Sequence, residues 1–348
     1  MKIIVRSMLS LVSLAGVAFL GLFGFGARLR REGQKPIDDD SLRADNGRTA
    51  TTADGRTVEY FTYGSSDPAS EVVVNMHGSG LEGRFEKVLH APICESLGVR
   101  GIAISLPACG NTDMKPGRRV IDWATEDLAA VLDAESVDTF MITGHSQGNP
   151  HAMAAAVAYP DRVVGIGFNA PLLPASIVQA EGLPPTVGQN ELPDTERLRS
   201  PLMAWYFGVY HLAVDTFAPR LPLRAIAEGK PNVEQDTEVL ARFASSVRRS
   251  ITRGTAGGAW ESARDVCFDW GLDPRDIQCR NVVVWHARDD TLCPPEQGKW
   301  LAGLFAAREG TTVQFRDDDE GYSHLTYTRG PYATPDGSMV KALLSGLG

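Results

Sequence analysis

The chain has 348 residues, with 34 Lys+Arg against 43 Asp+Glu, a formal net charge of −9, 43% hydrophobic and 22% charged residues. That balance excludes a disordered chain, a collagen and a coiled coil, and the acidic surplus argues against a nucleic-acid partner, which needs a basic face. Five cysteines, at 94, 109, 267, 279 and 293, are too scattered for a disulfide framework and show no zinc spacing, so no structural metal is expected.

Residues 7–27 carry no charge and, as a helix, reach about 30 Å, the thickness of a bilayer core. They predict a single-pass N-terminal membrane anchor. The alternative is a signal segment cleaved to release a secreted protein, against which stand the poor cleavage motif Gly24-Phe25-Gly26 and the arginines that follow it. Residues 28–50 are polar and read as a linker.

From 51 onward, strand and helix patterns alternate. Arg56–Tyr63 alternates in polarity and predicts an early antiparallel strand. Continuous apolar runs at Val72–Met76, Gly101–Ile104, Phe140–Thr143 and Val163–Phe168 suit strands buried on both faces, as in a parallel sheet. Helical stretches, Trp123–Ala134 and Gln147–Tyr159 among them, lie between these runs. The order implies an α/β fold with right-handed crossovers. Residues 172–263 break the pattern with clustered prolines, the aromatic run Trp205–Tyr210 and a helical stretch, and no apolar strand. Strands resume at Asn281–Trp285 and Thr311–Phe315. The expected layout is a core of 51–171 and 264–348 with 172–263 inserted as a helical cap. Trp205, Tyr206 and Tyr210 could line an acyl-chain site or serve as ordinary cap core.

Gly144-His145-Ser146-Gln147-Gly148 joins the strand Phe140–Thr143 to an alanine-rich helix. A serine on so sharp a strand-to-helix turn is exposed to a substrate, and side chains two residues to either side would clash, hence Gly144 and Gly148. Serine alone is a weak nucleophile and needs a base oriented by an acid. In the order serine, acid, histidine, the acid should follow the strand Asn281–Trp285, where both Asp289 and Asp290 stand. Only His324 of the seven histidines lies beyond them. An oxyanion hole needs two backbone N–H donors. Gln147, just after the serine, supplies one, and Ser79, in the loop His77-Gly78-Ser79-Gly80, is chosen for the other, with Gly80 next.

Two features invite other interpretations. Gly78-Ser79-Gly80-Leu81-Glu82-Gly83 matches a dinucleotide-binding glycine pattern, but the next strand ends in Ser105-Leu106-Pro107 without the acid that a ribose would need. Asp317-Asp318-Asp319-Glu320 could bind a cation but fits a solvated loop better. Cys109 and Cys293 are expected to be small buried residues near the site.

Taken together, His77-Gly78, the loop Leu106–Asp113, the Ser146 turn, Tyr159-Pro160-Asp161-Arg162-Val163 and Asp290 four residues before Pro294 resemble the α/β-hydrolase superfamily over about residues 50–346. The likeness is greatest to the branch that includes esterases, C–C hydrolases and epoxide hydrolases. The resemblance implies a mostly parallel sheet with a helical cap, and a triad of Ser146, Asp290 and His324, since the family's acid stands four residues after the histidine that ends its strand. It implies hydrolysis of a small-molecule carboxylic ester, lipid esters included, without a cofactor. C–C bond hydrolysis, acyl transfer to an alcohol, or a non-catalytic binding role are the alternatives. Serine rather than aspartate at 146 speaks against epoxide hydrolase chemistry. The sequence departs from the family pattern at Asn149-Pro150 after the turn and at Tyr322-Ser323 before His324.

Overall fold

The structure, a computed structural model, describes residues 46–115, 117–186, 189, 270–316, 323–328 and 330–347, with six further positions between 16 and 24. Eight strands form one sheet: β1 (Gly47–Thr51), β2 (Thr57–Gly64), β3 (Val72–Met76), β4 (Arg100–Ile104), β5 (Phe140–His145), β6 (Val163–Asn169), β7 (Asn281–Trp285) and β8 (Thr312–Arg316). Their order is β1-β2-β4-β3-β5-β6-β7-β8. β2 runs antiparallel to both its neighbours, and every pairing from β4 to β8 is parallel. β1 begins at Gly47, inside the stretch read from sequence as linker.

Every residue of β3, β5 and β7 is buried, which explains their uninterrupted apolar sequences: helices cover both faces. On one face pack α2 (Val120–Trp123), which runs through a π-helical turn at Ala124–Leu128 into α3 (Ala129–Ala134), then α4 (Gly148–Ala158) and α6 (Pro295–Ala306). On the other pack α1 (Gly83–Leu97) and α7 (Met339–Ser345). A short α5 (Ala175–Ala180) follows β6. The slim side chains Ala152, Ala154, Ala155 and Ala156 are fully buried and let α4 lie close to the sheet.

The expected single-pass anchor at residues 7–27, and the membrane localisation drawn from it, find no support: among the described residues, no helix is long and apolar enough to cross a membrane. Most of that segment lies outside the described residues; Val17 and Leu20, which are described, are exposed. The expected cap, 172–263, also falls outside the described residues beyond position 189, and Trp205, Tyr206 and Tyr210 with it, as does the acidic run 317–320.

Candidate active site

Parallel strands deliver their carboxyl ends to one edge of the sheet, where α/β proteins place their ligands. Here the ends of β3, β5, β6 and β7 bring together the loop from His77, the Ser146 turn, Asn169-Ala170 and the loop from His286 to Asp290.

Ser146 is the junction of β5 and α4 and has φ of +51°, a left-handed conformation that costs a non-glycine residue free energy. Surrounding bonds hold it there. Its N–H donates to Asn169 O at 3.0 Å, and its carbonyl accepts from Asn149 N at 3.0 Å and Asn149 Nδ2 at 2.9 Å. The same Nδ2 donates to Asn169 O at 2.8 Å, tying the turn to the end of β6. The flanking glycines are obligatory on steric grounds. A Cβ on Gly148 would lie 2.3 Å from Met76 O, and one on Gly144 would lie 2.7 Å from Asn149 Cα.

His324 follows β8 in a short 3-10 segment, Ser323–Thr328. Its Nδ1 donates to Asp290 Oδ2 at 2.8 Å. The other carboxylate oxygen, Oδ1, accepts from the N–H groups of Leu292 and Cys293, both at 3.0 Å. His286 Nε2 donates to Cys293 O at 2.6 Å and stands 3.5 Å from Asp290 Oδ2. Burial alone would raise the Asp290 carboxyl, but electrostatic attraction to the neighbouring His324 and the hydrogen bonds from His286 and His324 outweigh it and hold the group well below the usual carboxylate range. Of the two aspartates that the sequence left open, Asp290 is the one that reaches His324. Asp289 is linked to the segment through its backbone, its carbonyl accepting from Ser323 Oγ at 3.1 Å.

His324 lies beside the serine turn. His145, the residue before Ser146, donates from Nε2 to His324 O at 3.0 Å, and the two ring centroids are 4.8 Å apart. Burial, then the neighbouring His324, lowers the His145 pKa well below that of free histidine, so this imidazole is neutral.

The loop after β3 closes over the same turn. A Cβ on Gly78 would lie 2.7 Å from His145 Nδ1 and 3.4 Å from Ser146 Cβ. Ser79, next in the chain, is exposed, while Gln147, the N-cap of α4, is buried. The first amides of a helix have no intrahelical acceptor, so this end of α4 is suited to a developing negative charge. His77 braces the loop: Nδ1 donates to Gly78 O at 2.8 Å, and Nε2 accepts from Leu106 N at 2.9 Å. Burial lowers its pKa to about 4, which keeps it in this neutral tautomer. The brace joins the loop to the buried network in which Glu59 accepts from Ser105 Oγ and Asn111 N.

The dinucleotide alternative fails on a contact. Glu82 caps α1, its carboxylate accepting from Arg84 N at 3.0 Å, and so occupies the helix end that a pyrophosphate would need. Cys109 and Cys293 are buried, and burial pushes the Cys109 thiol up to about 12, out of the range of a thiolate nucleophile. Among the described residues, no three His, Cys, Asp or Glu side chains are grouped to hold a metal ion.

Sequence reasoning singled out Ser146, Asp290 and His324 as candidates but passed over the residues around them. Asn149 stood out only as a departure from a family pattern, and its bonds to three carbonyls show what it does in place of glycine. Tyr327 carries no local signal at all; its ring lies against His145 at 4.1 Å.

Residues 72–320 match the family model of the alpha/beta hydrolase fold. A 2-hydroxy-6-oxononadienedioate/2-hydroxy-6-oxononatrienedioate hydrolase of Cupriavidus pinatubonensis is 25% identical over 273 residues, 75% of this chain and 85% of the relative. A Pseudomonas putida protein of the same description is 24% identical over 76% of this chain and 87% of its own. Among solved structures, an esterase of Thermogutta terrifontis superposes with a TM-score of 0.58 at 18% identity, covering 86% of this chain and 98% of that one. An esterase of Exiguobacterium antarcticum gives 0.58 at 17% identity, covering 81% and 93%. At these identities the two superpositions speak to the fold.

Proposed function

The chain belongs to the alpha/beta hydrolase fold family, and from that premise we propose that it is a serine hydrolase that cleaves carboxylic esters through an acyl-enzyme on Ser146. One observation carries the proposal: a serine held at φ +51° on a strand-to-helix turn, beside an imidazole whose Nδ1 is bonded to a buried carboxylate at 2.8 Å.

The steps follow from these positions. His324 Nε2 takes the Ser146 proton as Oγ attacks the carbonyl. Backbone amides of Gln147 and Ser79 receive the oxyanion. Asp290 fixes the tautomer that leaves Nε2 free to accept, and stabilises the imidazolium that forms. That imidazolium then protonates the departing alkoxide, and water, deprotonated by the same His324, releases the acid. An ester needs nothing more than this single acid–base group.

C–C bond hydrolysis is the second reading, favoured by the curated relatives over three quarters of the chain. It places a heavier demand on the substrate, whose own conjugation must stabilise the carbanion that leaves. Purified protein assayed in parallel against nitrophenyl esters and against 2-hydroxy-6-oxononadienedioate separates the two. Turnover of the esters with labelling of Ser146 by a fluorophosphonate supports the first reading. Turnover of the dienedioate alone replaces it with the second, and absence of both turnover and labelling removes both.

A further inference from the structure

The segment that carries His324 is not part of the sheet. It turns through Ser323, whose φ of +47° is, like that of Ser146, a left-handed non-glycine conformation, immediately before the histidine. Such strain persists only where the surroundings over-determine it. Three ties lie nearby: Ser323 Oγ to Asp289 O, Thr326 Oγ1 to Ser323 O at 2.7 Å and Thr328 Oγ1 to Leu325 O at 2.8 Å. Two of these are internal to the segment and fix its shape without fixing its place.

A further tie fixes its place against α1. Glu86 and His90 lie one turn apart on α1, both buried, with His90 Nε2 3.2 Å from Glu86 Oε2. The other oxygen, Glu86 Oε1, accepts from the hydroxyl of Tyr327 at 3.2 Å, a contact between residues 241 positions apart. Tyr327 in turn lays its ring on His145 at 4.1 Å and 31°, and His145 holds the carbonyl of His324. Glu86, His90 and Tyr327 share a cavity of about 20 Å³, the size of one water, whose walls are otherwise largely apolar.

We infer that Glu86 and Tyr327 are positioning residues for the imidazole of His324, acting through His145 and through the backbone of the 3-10 segment. This rests on the assignment of His324 as the base. Tyr327 is suited to the role: burial, then the nearby Glu86, raises its pKa well above that of free tyrosine, so the hydroxyl remains a donor. His145 touches both the Tyr327 ring and the His324 ring, and the three form a clamp. Release of the Tyr327 hydroxyl frees both the segment and the clamp, and the Nε2 of His324 moves relative to Ser146 Oγ.

Three variants test it: Tyr327→Phe, which keeps the ring on His145; Glu86→Gln, which keeps an acceptor for the hydroxyl; and Glu86→Leu, which does not. The expected result is a fall in kcat of about tenfold to a hundredfold for Tyr327→Phe, with KM unchanged, as for a misplaced catalytic group. Glu86→Leu should match it, Glu86→Gln should retain most of the activity, and Tyr327→Phe combined with Glu86→Leu should be no worse than either alone. A second readout does not depend on turnover: the downfield proton NMR signal of the hydrogen-bonded His324 Nδ1, assigned by its loss in Asp290→Asn. It should shift or broaden in Tyr327→Phe and persist in Glu86→Gln. If Glu86→Leu fails to fold, Tyr327→Phe decides the matter alone. A folded Tyr327→Phe with wild-type kcat and an unmoved signal overturns the inference. Absence of ester turnover in the wild type would instead count against the proposed function, with the NMR comparison still deciding this one.

Discussion

Ser146 and Asp290 each make a prediction that depends on one atom. Ser146→Ala removes the nucleophile from a turn whose geometry is held by Asn149 and Asn169, so folding should be unaffected while kcat falls on the order of a million-fold, as in other serine triads. Persistent fluorophosphonate labelling of this variant would show that another residue is the nucleophile. Asp290→Asn offers an N–H where His324 Nδ1 needs an acceptor. The imidazole then adopts the other tautomer, its Nε2 already carries a proton, and kcat should drop about 10⁴-fold. Asp289→Asn leaves that bond intact and should cost far less, since the tie from Asp289 to the segment is made by its carbonyl. Assays of the two variants side by side check the register, and equal penalties would contradict it. The sequence pointed to Ser146, Asp290 and His324 as candidates because they follow β5, β7 and β8 in a recognisable order. It could not point to Glu86 or Tyr327, which stand 241 positions apart and meet only on folding.

At the scale of elements, apolar runs were enough to find the parallel strands, because burial on both faces leaves no polar position to blur the pattern. β8 is legible to within a residue although its burial is mixed, while β1 was hidden in polar sequence: only one of its residues, Ala50, is buried. The π-helical turn at Ala124–Leu128 has no signature in the apolar spacing. Two glycines on helices illustrate how neighbours decide a substitution. Gly148 opens α4 against the end of β3, where a Cβ would press 2.3 Å from Met76 O. Backbone cannot give way as a side chain can, so Gly148→Ala should cost on the order of 3 kcal/mol and displace the Ser146 turn. Gly303 in α6 is exposed, and a methyl group there would meet nothing within 4 Å, so Gly303→Ala should raise stability by about 0.5–1 kcal/mol through helix propensity alone. Thermal unfolding of the pair should move Tm in opposite directions, and activity should fall only for Gly148→Ala.

For the molecule as a whole, the buried imidazoles set the response to acid. His77, His145 and His151 each have a pKa lowered first of all by burial, His77 to about 4. In the unfolded chain a histidine titrates near 6.5, so between about pH 4 and 6.5 the unfolded state binds more protons and stability rises with pH. The contribution is fully present above about 6.5 and is lost as pH falls, for His77 towards about 4. For His77 alone the loss at pH 5 is about 2 kcal/mol, from about 1.5 pH units at about 1.4 kcal/mol each. Asp290 adds to the same trend only at lower pH, because its carboxyl stays ionised well below the usual range. The three histidines share one region: His77 braces the loop after β3, His145 precedes Ser146, and His151 Nδ1 donates to Gln147 O at 3.1 Å. Protonation therefore strikes the site and the core together, and acid should loosen the Ser146 turn along with the fold. Urea unfolding at pH 7.5 and pH 5.0 measures this, with His77→Gln expected to flatten the dependence by removing one titrating group. Equal stability at the two pH values would mean that these imidazoles reach solvent protons without unfolding, contrary to their burial.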